Sequence, residues 1–156
     1  VASGPERRGK GWAIRPALGQ ATGDLICFID GDMDLHPKMI NRLLPFIADY
    51  DIVVGKKQHR KVFSRRVLTI LSRVWVRSLF GINIDTQTGI KLFRREALSD
   101  WKTDGWMFDV EILARAHYEG KSIVEVPVEV MESKGVKTSS IVKCPKETIL
   151  IKERLC

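Results

Sequence analysis

The sequence is short of everything that would place it across a membrane or in a disulfide scaffold. No apolar run approaches the ~20 residues a helix needs to cross a bilayer. Residues 1–10 are polar and basic, so no secretory leader is expected. Only three cysteines are present, Cys27, Cys144 and Cys156. They show no metal-type spacing, an odd number cannot all pair, and Cys27 stands inside an apolar run as a small core residue. Reduced thiols and a cytosolic setting are expected. There is no internal repeat and no low-complexity segment. Acidic residues are missing from the whole of residues 52–84, which carry Lys56, Lys57, Arg60, Lys61, Arg65, Arg66, Arg73 and Arg77. Those eight charges exceed the net +7 of the chain, so this stretch is expected to face an anionic partner: phosphates, nucleic acid or a membrane surface.

What is present is the pattern of one α/β domain over residues 1–156, with 44% hydrophobic residues to build its core. The spacing predicts a glycine-bounded helix over 9–21, a short buried strand over 24–29 and a helix opened by Pro37 and running to about residue 48. A second strand follows over 51–55. A long helix over 64–80 has Ser64 as N-cap and Gly81 as its stop. A third strand is expected over 88–93 and a helix over 107–118 closed by Gly120. The strand over 122–130 is placed near an edge by Pro127, and a last helix runs over 145–155. Helices alternating with short apolar strands argue for a layered fold with a largely parallel sheet.

The chemistry gathers first at Asp30-Gly31-Asp32-Met33-Asp34, directly after the apolar run 25–29. Three carboxylates within five residues repel one another unless a cation or proton intervenes. Hard cations such as Mg²⁺ take such ligands together with a substrate's phosphates. A solvated turn capping the next helix accounts for one carboxylate, not for three. An EF-hand starting at Asp30 is excluded, because its sixth position needs Gly and its twelfth Glu, where Leu35 and Asn41 stand. Gly9-Lys10-Gly11 offers a close backbone approach to phosphate at a helix start, or a plain helix-start loop; it is not a P-loop.

On the helix over 64–80, Arg66, Arg73 and Arg77 share a stripe roughly opposite the apolar residues. An ordinary core helix and an interfacial helix on anionic lipid both fit. No aromatic–basic interleaving of a nucleic-acid platform is seen, and no nucleic acid is expected. In the segment 85–95, Asp85 and Gln87 suit a sugar or cation, and Lys91 and Arg94 suit phosphates. Asp109 and Glu111 complement a helix start, or act as base or sugar-hydroxyl acceptor; Glu111 also stands four residues before Arg115, at ion-pair spacing.

Taken in order, Gly9-Lys10-Gly11-Trp12-Ala13-Ile14-Arg15, Ala21-Thr22-Gly23-Asp24 and the acidic loop resemble a family 2, GT-A-type glycosyltransferase. Asp85-Thr86-Gln87-Thr88-Gly89-Ile90-Lys91-Leu92-Phe93, Phe108-Asp109-Val110-Glu111, and Glu125-Val126-Pro127-Val128 with the basic loop 135–140 are similar to its dolichyl-phosphate glucosyltransferase branch. Dolichyl-phosphate mannose synthases are its close relatives. The resemblance covers about residues 9–140. It implies a nucleotide-diphospho-sugar transferase fold, a Rossmann-like three-layer α/β sandwich, lacking the N-terminal part that carries the base-reading aspartates.

The resemblance further implies metal-dependent, inverting transfer of a hexose from UDP-glucose or GDP-mannose to a polyprenyl (dolichyl) phosphate. Asp30, Asp32 and Asp34 form its DxD-type site for Mg²⁺ or Mn²⁺. Lys10, Arg15, Asp30, Gln87 and Arg94 are expected to bind substrate, and Asp85, Lys91, Asp109 and Glu111 to be catalytic. A phosphate acceptor is already anionic, so no poised histidine is required, and His36, His59 and His117 are expected to be ordinary residues. The basic segment 56–77 is expected to meet an anionic membrane, peripherally on its cytoplasmic face. Without the missing half-site the chain alone is expected to bind nucleotide poorly and turn over little. Two alternatives stand beside this reading: transfer to a soluble or glycan hydroxyl, with Asp109 or Glu111 as base, and a non-catalytic module that binds anions or membrane.

Overall fold

A computed structural model describes residues 8–32, 34–57, 63–86, 88–131 and 138–155, with side chains of 63–69 and 138–144 outside the description. Its strands are β1 (Leu25–Ile29), β2 (Ile52–Lys57), β3 (Ile90–Arg94) and β4 (Ile123–Val128). Its helices are α1 (Lys10–Gln20), α2 (Ile40–Leu43), α3 (Phe63–Phe80), α4 (Phe108–Tyr118) and α5 (Thr138–Leu155). The strands form one sheet in the order β1-β3-β2-β4.

Side chains alternate across a strand, and the two faces of this sheet fill different cores. Ile26, Ile52, Val54 and Phe93 pack with Val76 and Phe80 of α3, Phe108 and Leu113 of α4 and Ile151 of α5, and Ile14 and Leu18 of α1 lean against them. Val53, Ile90, Leu92 and Val126 pack on the other face with Leu35, Leu43 and Ile47. The result is the expected three-layer α/β sandwich. α4 is deeply held: Val110, Ile112, Leu113, Ala114 and Ala116 are all buried.

Three expectations are corrected. The sheet is mixed rather than largely parallel: β3 runs antiparallel to both β1 and β2, and only β2 and β4 are parallel. Residues 81–89 separate α3 from β3 and let the chain enter β3 beside Asp30, whose N–H bonds to the Gly89 carbonyl at 2.8 Å. The helix expected over 37–48 is instead 3₁₀ at Pro37–Met39, α at Ile40–Leu43 and 3₁₀ again at Leu44–Ala48. Pro45 explains the break, since it has no N–H to bond one turn back and its ring crowds that turn. Helix α5 reaches back to Thr138 with Pro145 inside it. β4 ends the strand order, as Pro127 suggested, and its Pro127 stands opposite Lys56 of β2.

Candidate active site

The carboxyl ends of β1, β2 and β4 and the start of β3 share one end of the sheet. Ligands of α/β sheets bind at that end. Alternation along β1 turns Ile26 and Phe28 toward the α1 and α4 layer, and Asp30 continues that parity. Phe28 stands opposite Lys91 of β3, so an acid and a base from different strands reach the same face.

Between that face and α1 lies a cleft of about 280 Å³, with Ile14, Ala17, Leu18, Ile26 and Phe28 as its apolar wall. Lys10, Asp30, Thr88, Gly89, Lys91 and Asp109 supply its polar end. Lys10 Nζ donates to Asp30 Oδ1 at 2.5 Å and stands 5.7 Å from the centre of the Trp106 ring and 5.4 Å from that of Phe108. Gly89 is fitted to Asp30: a Cβ there would meet the Asp30 carboxylate carbon at 2.7 Å, so only glycine leaves room for that side chain. Lys91, buried in β3, donates to the Thr88 carbonyl at 2.6 Å and to Asp109 Oδ2 at 2.9 Å. Thr88 is fully buried, and its hydroxyl has no partner among the described residues. Cys27 also lines the cleft, but burial pushes its thiol up to about 11, which keeps it protonated and a poor nucleophile.

The acidic loop does not converge on one point. Asp30 is drawn to Lys10, Asp32 Oδ1 accepts the Asp34 N–H at 3.1 Å, and Asp34 Oδ2 lies 3.5 Å from Lys57 Nζ. The repulsion that argued for a cation is thus relieved largely by two lysines. Among the described residues no three acidic, histidine or cysteine side chains form a ready-made metal cage. Asp34 Oδ1, however, is buried with no hydrogen-bond partner among the described residues. An unspent buried carboxylate oxygen beside exposed Asp32 fits a cation that takes one or two protein carboxylates and completes its shell from substrate phosphates.

The other expected site residues are placed elsewhere. Glu111 is fully buried; it accepts the N–H groups of Lys102 at 3.1 Å and Thr103 at 2.8 Å and pairs with Arg115 at the expected spacing. Burial alone would raise its pKa, but the hydrogen bonds from Thr103, Lys102 and Arg115 outweigh burial and hold the carboxyl below its ordinary 4.5. It anchors a loop and faces no cleft. Arg15 donates to the Trp101 carbonyl and to Asp104, tying α1 to the 101–104 segment. Arg94 stands at the far end of β3, opposite Leu25, with its guanidinium on the Ala48 carbonyl. Asp85 is buried outside the cleft lining, its N–H on Glu125 at 2.5 Å. Gln87 lies outside the described residues.

The helix-start glycines are also reassigned. The N–H groups of Gly11 and Trp12 donate to the carbonyls of Gly105 and Asp104, so this helix start is spent on the 103–105 loop rather than open to phosphate.

Sequence reasoning missed Thr88, Lys57 as the partner of Asp34, and Glu125. Glu125 gathers Lys56, Arg73 and the Asp85 N–H. Its burial works to raise its pKa, and these partners together outweigh that and lower it. The available signal was parity: Lys56 and Glu125 sit on the α3 face of β2 and β4, and Lys57 on the other.

The sequence model of Glycosyl transferase family 2 matches residues 1–102. A dolichyl-phosphate beta-glucosyltransferase of Homo sapiens is 32% identical over 85% of this chain and 47% of its own length. One from Dictyostelium discoideum is 30% identical over 96% of this chain and 52% of its own. The chain therefore spans about half the length of the curated relatives it matches. Among solved structures, glucosyl-3-phosphoglycerate synthase from Mycobacterium tuberculosis with phosphoglyceric acid superposes with a TM-score of 0.77 at 20% identity, over 97% of this chain and 56% of that one. The same enzyme with Mn²⁺, uridine-diphosphate and phosphoglyceric acid gives 0.76 at 21% identity, over 94% and 54%. These likenesses establish the GT-A fold.

Proposed function

The chain belongs to glycosyl transferase family 2, and from that premise we propose that it forms part of an enzyme moving glucose from UDP-glucose to a polyprenyl phosphate at a membrane surface. The names of its relatives support the sugar and the acceptor. UDP in the solved neighbours supports the nucleotide. The observation that carries the reading is the pairing of Lys91 with Asp109 at the polar end of the cleft.

An acceptor hydroxyl needs a base to take its proton. Glu111 is fully enclosed, and Asp109 commits Oδ2 to Lys91, which disfavours both for that task. A phosphate acceptor arrives ionised. Its oxygen attacks the anomeric carbon as the bond from that carbon to the nucleoside diphosphate breaks, and the bonding pair leaves with the diphosphate. No proton moves in that displacement. Lys10 and Lys91 place positive charge where the two anionic groups meet, and Asp30 and Asp109 hold each lysine in position. The apolar cleft wall keeps water away from the reacting carbon. Bound Mg²⁺ or Mn²⁺ would offset charge on the departing diphosphate, with Asp32 and Asp34 as holding carboxylates and Asp30 beside them.

The test is radiolabelled glucose transfer from UDP-glucose with Mn²⁺ to a short polyprenyl phosphate and to the corresponding unphosphorylated polyprenol. Both the chain alone and a chimera that adds the unmatched half of the human relative are assayed. Label in the polyprenyl phosphate alone is the expected result. Transfer to polyprenol, abolished by Asp109→Asn, would overturn the reading in favour of a hydroxyl acceptor.

A further inference from the structure

No described residue of β4 lines the cleft, yet β4 carries a carboxylate with both oxygens engaged. Glu125 Oε1 accepts the Asp85 N–H at 2.5 Å and Arg73 Nη2 at 2.7 Å. Its Oε2 accepts Arg73 Nη2 at 2.9 Å and Lys56 Nζ at 3.1 Å. Arg73 Nη2 reaches on to the Asn83 carbonyl at 3.4 Å. One ion pair thus clamps the segment after α3 twice, at the 83 carbonyl and at the 85 N–H. The segment needs partners, because Asp85 and Thr86 are buried and buried backbone groups must be paired. A carboxylate is more than that need asks. A neutral oxygen would serve the Asp85 N–H, and a buried ion pair often gives no more stability than apolar residues of similar volume. What the charged pair adds is a fixed position, since both partners must meet in one geometry.

That position is felt at the cleft. Shortly after Asp85, the Thr88 carbonyl holds Lys91 Nζ at 2.6 Å and the Gly89 carbonyl takes the Asp30 N–H at 2.8 Å. Gly89 also lies against the Asp30 carboxylate, with no room for a Cβ. Asp30 in turn holds Lys10, and Lys91 holds Asp109. Both ion pairs at the polar end of the cleft therefore take their placement from a segment whose upstream end Glu125 fixes. A shift of about 1 Å in a reacting site can cost on the order of a hundredfold in rate.

We propose that Glu125, clamped with Arg73, is a positioning residue for the transfer: it sets the 85–89 segment that holds Lys91 and Asp30 in place. The inference rests on the transferase reading for its catalytic meaning, while its structural content is separately testable.

The test joins two readouts. Amide exchange at Asp30 is measured on the chain, and kcat and KM for UDP-glucose on the chain and on the chimera with the human half. The variants are Glu125→Leu, Arg73→Met/Glu125→Leu and Glu125→Gln. Asp51→Asn is the control, a carboxylate that joins the starts of β2 and β4 away from the cleft. Glu125→Leu is expected to lose protection at Asp30 and to lower kcat on the order of a hundredfold with KM unchanged. The double variant removes both halves of the pair, so its urea midpoint should recover while kcat and Asp30 protection do not. It also decides the matter if Glu125→Leu alone fails to fold. Glu125→Gln keeps an oxygen for the Asp85 N–H without the charge and is expected to fall between Glu125→Leu and wild type. Asp51→Asn is expected to lower the midpoint and leave kcat and Asp30 exchange as in wild type. Wild-type exchange at Asp30 in both leucine variants would overturn the proposal. So would a kcat that recovers together with the midpoint in the double variant, or an equal loss of kcat in Asp51→Asn. Lost protection at Asp30 where even the wild type transfers no glucose sinks the transferase reading and spares the clamp; undiminished transfer by Glu125→Leu sinks the positioning role alone.

Discussion

Lys91 is a charge in a strand interior, and two oxygens hold it there: the Thr88 carbonyl and Asp109 Oδ2. Its side chain is 3% exposed and that of Asp109 13%, so water screens the pair little. Removing one partner of a buried pair leaves the other uncompensated, at about 3–5 kcal/mol, whereas replacing both by apolar groups is often close to neutral. Lys91→Met is therefore expected to lower the unfolding free energy by about 3 kcal/mol, and Lys91→Met/Asp109→Leu to recover most of it, both read from urea denaturation midpoints. Glucose transfer should be lost in the single and the double variant alike. That combination separates a lysine kept for chemistry from one kept for the fold; a double variant that retained activity would remove Lys91 from the site.

Helix α1 is seated on the 103–105 loop by backbone contact. Gly9 has φ of 143°, and a Cβ there would collide with the Asp104 carbonyl. The N–H groups of Gly11 and Trp12 bond to the same loop. Gly9→Ala must move the helix start, at a strain cost of about 1–3 kcal/mol. Faster amide exchange at Gly11 and Trp12 is expected, with β2 and β4 unaffected. Unchanged exchange would mean that the seat tolerates a side chain. This contact was not legible in the sequence, where Gly9-Lys10-Gly11 fits a phosphate cradle and a plain helix-start loop alike. Glycine next to a helix start is the same letter whether the approaching group is a ligand or a carbonyl 95 residues along the chain. The helix over 107–118 and its stop were legible, because periodicity and Gly120 are local. The sense of β3 was not, since alternation of helix and strand carries no direction, and neither was the cost of Pro45 to the helix over 37–48. At the site, Asp30, Lys10, Lys91 and Asp109 were each legible as types. Which lysine meets which carboxylate follows from strand register, which no single segment contains.

Across the whole molecule, three carboxylates tie distant segments together. Glu125 on β4 gathers β2 through Lys56, α3 through Arg73 and the segment before β3 through the Asp85 N–H. Glu111 holds the 102–103 segment to α4. Asp51, lowered first by its hydrogen bond from the Ser122 side chain, joins the starts of β2 and β4. Glu111 and Glu125 are held below their ordinary 4.5, and Asp51 below 3.8. A carboxyl whose folded pKa lies below its unfolded value contributes stability that is fully present above the unfolded value and is lost as pH falls through the folded one. Stability from these groups should therefore be flat above about pH 5 and should decline from near 4.5 downward. Protonating Glu125 also strands Lys56 and Arg73, which lie in the acid-free stretch 52–84, so low ionic strength should steepen the decline. Urea midpoints measured from pH 7 to pH 3 provide the check, with Glu125→Gln as the diagnostic variant. Glu125→Gln cannot lose a proton, so its deficit against wild type should be largest at neutral pH and shrink as the wild-type carboxylate is titrated. A deficit that stayed constant down to pH 3 would show that Glu125 contributes by shape rather than by charge.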